Sequence, residues 1–234
     1  MPAGLFGKLP AKRDFIGANA PHRFLDVWEP WLKAGLAMSK QMLGASWTSA
    51  YNCAPIWRFW LGANLCGEAI IGAFMPSVDG VGRSFPLAIF AGESGELLPP
   101  PELDPNDDWC EAVEAILLSA LEPDATLEGV AERVAALPKP VLEPRTRSAA
   151  GLHALPGAVL ARGIDKQISA AFLAARQFGH RDAYAGQSFW WTIGGVGFQP
   201  VALTQIGLPP AARFADILTG AFADAQASAS EGAR

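Results

Sequence analysis

Runs of lysine or arginine are absent from this 234-residue sequence, which carries a net charge of −5. Phosphate recognition needs a basic patch to release counterions, so nucleic acid is not an expected partner. Cysteine is scarce: Cys53, Cys66 and Cys110 are odd in number and form no CxxC pair. That pattern fits buried thiols in a reducing compartment and not a disulfide framework. The opening MPAGLFGKLPAKRDF lacks an apolar core of signal-peptide length and meets charge at Lys8, Lys12, Arg13 and Asp14. The expected location is the cytoplasm.

Charge itself is missing from Ala183 to Ala212, a stretch long enough to span a bilayer. It holds five glycines, three prolines and the polar residues Gln187, Ser188, Thr192, Gln199, Thr204 and Gln205. Such a mixture fits a buried hairpin better than a membrane helix, so no stable membrane insertion is expected.

Catalytic signatures are also missing. GLFGKLP has glycines and a lysine, but Leu9 and Pro10 follow where a phosphate loop needs Ser or Thr and a helix start. GGVG at 194–197 lacks dinucleotide spacing and reads as a turn. His22, His153 and His180 are scattered without ligand spacing, so no metal or other cofactor is expected. Ser77 and Ser84 flank Asp79, yet there is no nucleophile elbow and no nameable base.

What is present is a large apolar core. Half the residues are hydrophobic, 18% are charged, and there are eight tryptophans and 13 phenylalanines. Gly4–Leu9 reads as a strand. Phe24, Trp28, Trp31, Gly35, Met38 and Met42 recur at helical spacing over about 21–43. That helix starts near Asp26 or bends at Pro30.

Ile56–Leu61, Leu65–Phe74 and Phe85–Ala91 read as strands joined by short links. Helices are expected at about 107–121, with Trp109, Val113, Ile116, Leu117 and Leu121 inward, and at about 126–137, with Thr126 as N-cap. PKPVLEPRTRSAAG (138–151) reads as a linker. A strand at Ala158–Arg162 follows, then a helix from Asp165 with Ile168, Phe172, Ala175 and Phe178 inward. A hairpin over 188–206 and a helix from about Pro209 complete the series. Clustered strands with helices between them argue an α+β fold, a mostly antiparallel central sheet flanked by helices. One domain over 1–222 and a disordered tail over 223–234 are expected.

PSVDGVGRSFPL (76–87) combines a turn dipeptide, Asp79-Gly80, with a second glycine and a proline before the next strand. Asp79 and Arg83 are spaced to pair or to bond exposed backbone across the loop. Trp190-Trp191 lies in a strand, so the two rings point to opposite faces.

Taken in order, GLFGKLPAKRDF, WEPWL, APIWRF, PSVDGVGRSFPL and SFWWT resemble TagF, the type VI secretion system-associated family. Arg13 departs from the pattern, which usually has glycine before Asp14 and Phe15. The resemblance implies a longin-like α/β sandwich and a cytoplasmic accessory protein. It implies post-translational negative regulation of a bacterial type VI secretion system through a forkhead-associated scaffold protein. Expected partner-binding residues are Lys8, Asp14, Asp79, Arg83, Trp190 and Trp191, with no catalytic residue. Two other readings are a metal-free hydrolase or small-molecule enzyme using the 76–87 loop and a structural subunit of the secretion apparatus.

Overall fold

Seven strands, every neighbouring pair antiparallel, make one sheet in the computed structural model, which describes residues 2–93, 98–142, 151–155, 158–162 and 168–222. The strands are β1 (Gly4–Gly7), β2 (Ile16–Ala18), β3 (Trp57–Leu61), β4 (Ala69–Met75), β5 (Leu87–Glu93), β8 (Gln187–Thr192) and β9 (Val201–Ile206). Their order is β2-β1-β5-β4-β3-β8-β9, so β2 and β9 are the two edges. The central strands are apolar on both faces because helices cover both. In β3, Trp57, Phe59 and Leu61 alternate with Arg58 and Trp60, and all five are buried.

One face packs against α4 (Asp107–Ser119) and α5 (Leu127–Ala135). Trp109, Val113, Leu117, Val130 and Val134 meet Trp60, Ile71, Ile89 and Leu87 there. Thr126 caps α5 as expected, its hydroxyl accepting the Gly129 N–H, a contact of about 1 kcal/mol.

The other face is aromatic. It packs against α1 (His22–Leu43), α2 (Trp47–Cys53) and α8 (Arg213–Thr219) through Phe24, Trp28, Trp31, Tyr51 and Phe214. A Cβ at Gly35 would sit 2.6 Å from the Phe214 ring, so glycine is what lets α1 and α8 approach. The indole N–H groups of Trp31 and Trp57 donate to the carbonyls of Pro209 and Ile217, tying α1 and β3 to the α8 region.

Several expectations change. α1 begins at His22 and runs through Pro30, whose missing donor falls on an exposed turn where water can reach the freed Asp26 carbonyl. Its inward stripe continues as Leu32, Leu36 and Ser39, leaving Met38 and Met42 exposed. Leu65 belongs to α3 (Ala63–Cys66), a single turn before β4, not to the strand. Leu121 lies beyond α4 and is exposed.

β6 (Leu152–Leu155) and β7 (Ala158–Ala161) form a separate two-stranded sheet. α6 (Ile168–Phe178) packs on that hairpin and buries none of its residues fully; α7 (His180–Ala183) follows it. Ile168, Phe172 and Phe178, expected inward, are exposed, Phe172 to 73%. Periodicity locates an apolar stripe but does not supply the surface that covers it. The linker expectation falls mostly on 143–150, and the tail expectation on 223–234, outside the described residues.

Candidate functional site

At one end of the sheet the loop between β4 and β5 folds around a single carboxylate. Val78 and Ser84 bridge across it, and Gly82 has φ +84°. Asp79 Oδ1 accepts the N–H groups of Val81 (3.1 Å) and Arg83 (2.9 Å). Oδ2 accepts Lys8 Nζ at 2.8 Å and Arg83 Nε at 2.6 Å. Burial alone would raise the Asp79 carboxyl; the Lys8 ammonium and the donors of Arg83 and Val81 outweigh it, holding the group well below the usual carboxylate range.

Neighbouring contacts extend this staple. Ser77 Oγ donates to Lys8 O at 2.8 Å, Gly80 N–H to Lys12 O at 2.8 Å, and Arg83 Nη2 to Arg13 O. Tyr51 Oη donates to Ser77 O and accepts Ser77 N–H at 3.1 Å. Burial pushes that phenol well above its ordinary range, with the Ser77 bond opposing.

Lys8, Ser77 and Asp79 are thus buried and occupied with one another's loops. The residues that suggested an active site form a hub tying β1 to the β4–β5 loop. Among the described residues of this loop no side chain is paired to a base as a nucleophile would be.

The outer surface of the same end is accessible. Asp14 and Arg83 are exposed, beside Phe15 (46% exposed) and Val81 (57%). Phe15 stacks on Phe6 at 5.8 Å and meets Phe85 edge-on at 4.8 Å, so the half-exposed ring is fixed from beneath. Arg13 keeps a negative φ, and its role in the contact with Arg83 is through its carbonyl. The loop therefore tolerates a side chain at this position.

The other end is built differently. Trp190 is fully buried, 4.7 Å from Trp31 and 5.7 Å from Phe59 by ring centroids, and its indole N–H donates to Ser188 Oγ at 2.8 Å. Trp191 is on the opposite face and only half-buried. It lines an open groove of about 390 Å³ with Pro101, Glu102, Pro105, Ala202 and Thr204. The segment just before α4 supplies the groove's other wall.

Residues 4–137 match the family model of the TagF N-terminal domain, described as type VI secretion system-associated. The chain belongs to the TagF family. A crystal structure of PA0076 from Pseudomonas aeruginosa PAO1 is similar to it, with 34% sequence identity, a TM-score of 0.78, and coverage of 95% of this chain and 96% of that one. No curated protein matches the sequence. The TagF match includes the whole Lys8–Asp79–Arg83 staple and ends before β8 and β9.

One buried charge in this TagF chain escaped the sequence reading. Arg58, almost fully buried in β3, donates from Nε to Glu114 at 2.6 Å and from Nη1 to Asp107 at 2.9 Å. Burial opposes its charge, but Glu114 foremost, with Asp107, more than compensates and raises its affinity for the proton. The available signal was a lone arginine in WRFWL facing two acids seven residues apart on one helix face. Burial also pushes the Cys66 and Cys110 thiols up to about 12, leaving Cys53 as the exposed thiol.

Among the described residues no group of three or more His, Cys, Asp or Glu side chains is placed to hold a metal ion. No described helix is long and apolar enough to cross a membrane. The uncharged segment instead forms the β8–β9 hairpin, closed by a bridge between Gly195 and Phe198.

Proposed function

We propose that this chain works in the cytoplasm as a post-translational negative regulator of a bacterial type VI secretion system, without catalysis, by binding a forkhead-associated scaffold protein. The observation that carries the reading is the family match over residues 4–137. We assign the contact to the surface of Asp14, Phe15, Val81 and Arg83, held over the buried staple, and the exposure of these residues supports that reading. A half-exposed aromatic ring beside an exposed guanidinium is the composition that interface centres favour. Lys8 and Asp79 act beneath this platform by fixing its shape, and Trp190 acts in the core.

Repression follows from mass action. A protein that binds one conformation of a scaffold shifts the population toward it by its differential affinity. Overproduction in cells with an active system should therefore lower effector release while component levels stay constant. Affinity purification with mass spectrometry from the same cells should recover the scaffold in substoichiometric amounts. Unchanged release with soluble, folded protein in excess, or recovery of the whole apparatus in fixed stoichiometry, contradicts the proposal.

A further inference from the structure

Among the described residues, the outer edge of β9 carries main-chain groups with no strand beside them. Gly207 N–H bonds Gly186 O at 2.9 Å, and these residues fall directly opposite in the β8–β9 register. In an antiparallel pair, hydrogen-bonded and non-hydrogen-bonded pairs alternate. Gln205, Leu203 and Val201 therefore turn their peptide groups toward β8, and Ala202, Thr204 and Ile206 turn theirs outward. The Gly62 N–H bond to Gln187 O on the opposite side of β8 agrees with this alternation. Edge strands are usually protected by charge, proline within the strand or a covering element. VALTQI has no charge or proline, and its exposed side chains include Ile206 at 83%.

We infer that β9 pairs antiparallel with β9 of a second copy of this chain, joining two sheets across a two-fold axis at Thr204. Three observations select this occupant and this register. First, the ladder is bounded: Pro200 has no N–H to offer on the outward side, and Gly207 turns the chain away with φ +75°. The three outward residues left between them have Thr204 as their midpoint, so Thr204 opposite Thr204 is the symmetric register that uses all three. Second, that register places Ile206 of the second copy beside Ala202, on the face where Ala202 lies opposite Trp191. The small Ala202 leaves the groove between Trp191 and Pro105 open, and the exposed Ile206 is the side chain that enters it. Symmetry repeats this contact, as an isologous interface requires. Third, each copy carries −5 charge, yet the Ala183–Ala212 segment through which they meet has none. Like-charge repulsion, the usual obstacle to self-association, is least here.

A single strand pair is a small interface, so the dimer should form in the micromolar range. Sedimentation velocity of the purified full chain over a micromolar concentration series reads this. Wild type should shift from monomer to dimer as concentration rises. Ile206→Lys should weaken association by at least about tenfold. So should Thr204→Pro, because the lost N–H points away from β8 and the internal ladder is unaffected. Met42→Lys, on an exposed α1 position, should leave association unchanged, with near-ultraviolet circular dichroism confirming folding of all variants. A wild-type monomer at every concentration overturns the inference, and leaves the edge to a strand from a different protein. A dimer that both edge variants retain overturns it as well. Neither outcome bears on the regulatory reading, which the platform variants test separately.

Discussion

The loop between β4 and β5 and the β8–β9 margin are built by opposite means. In the β4–β5 loop a buried carboxylate gathers four hydrogen bonds and locks a turn whose outer surface is charged and aromatic. At the β8–β9 end the strands carry no charge, and β9, paired on one side only among the described residues, lies beside an open, mainly apolar groove. The first arrangement fixes one conformation and displays it. The second leaves hydrogen-bonding capacity unspent. A surface of the first kind suits recognition of a different protein, and one of the second kind suits addition of a strand.

The largest expected effect separates core from groove in the Trp190-Trp191 pair. Trp190→Ala should cost about 3–5 kcal/mol in chemical denaturation, the range for a large aromatic removed from a packed core. Trp191→Ala, with its ring half open to solvent, should cost less than half as much and weaken self-association. Equal losses would erase the distinction between the two faces of β8.

Next comes the charge that neither end shares. Glu114→Ala leaves the buried Arg58 with only the exposed Asp107, and should cost about 3 kcal/mol, as when one member of a buried pair is removed. A loss no larger than that of a surface pair would mean that water reaches Arg58.

The staple should report itself in acid. Asp79 is held deprotonated below its unfolded range, so the unfolded chain takes up the proton first as pH falls. Its stabilisation is complete above about pH 4, the unfolded value, and is lost as pH drops toward the folded one. Asp79→Asn should lower stability at neutral pH and flatten that acid dependence; an unchanged acid slope would show that other carboxylates set it.

The smallest stability effect belongs to Arg83→Ala. Its guanidinium is 60% exposed, so about 0–1 kcal/mol is expected. Capture of the scaffold should fall much more than stability does, and a proportionate fall in both would make the platform a folding feature only.

The same contrast explains what could be read from the residues. Asp79-Gly80, Gly82 and Pro86 announce a shaped loop, and the hairpin over 188–206 follows from breakers in an uncharged run. Burial of Asp79 was not legible, because its partner Lys8 is distant in sequence and arrives through the β1–β5 pairing. Trp190 and Trp191 were separable by face, but deciding which ring is fully covered requires knowing that α1 and α8 pack over Trp190 and that an open groove runs beside Trp191. β2, α2 and α3 are too short for periodicity to register, and they are positioned by their neighbours. Arg58 is a lone charge in an apolar strand, and its acids come from α4, distant in sequence.

The most direct test combines both ends in one affinity purification from cells with a type VI secretion system, using wild type, the platform double variant Asp14→Lys/Arg83→Glu, and Ile206→Lys. The scaffold should be recovered with wild type and with the edge variant, and lost from the platform variant while that protein remains folded. Retention of the scaffold by the platform variant would contradict the account.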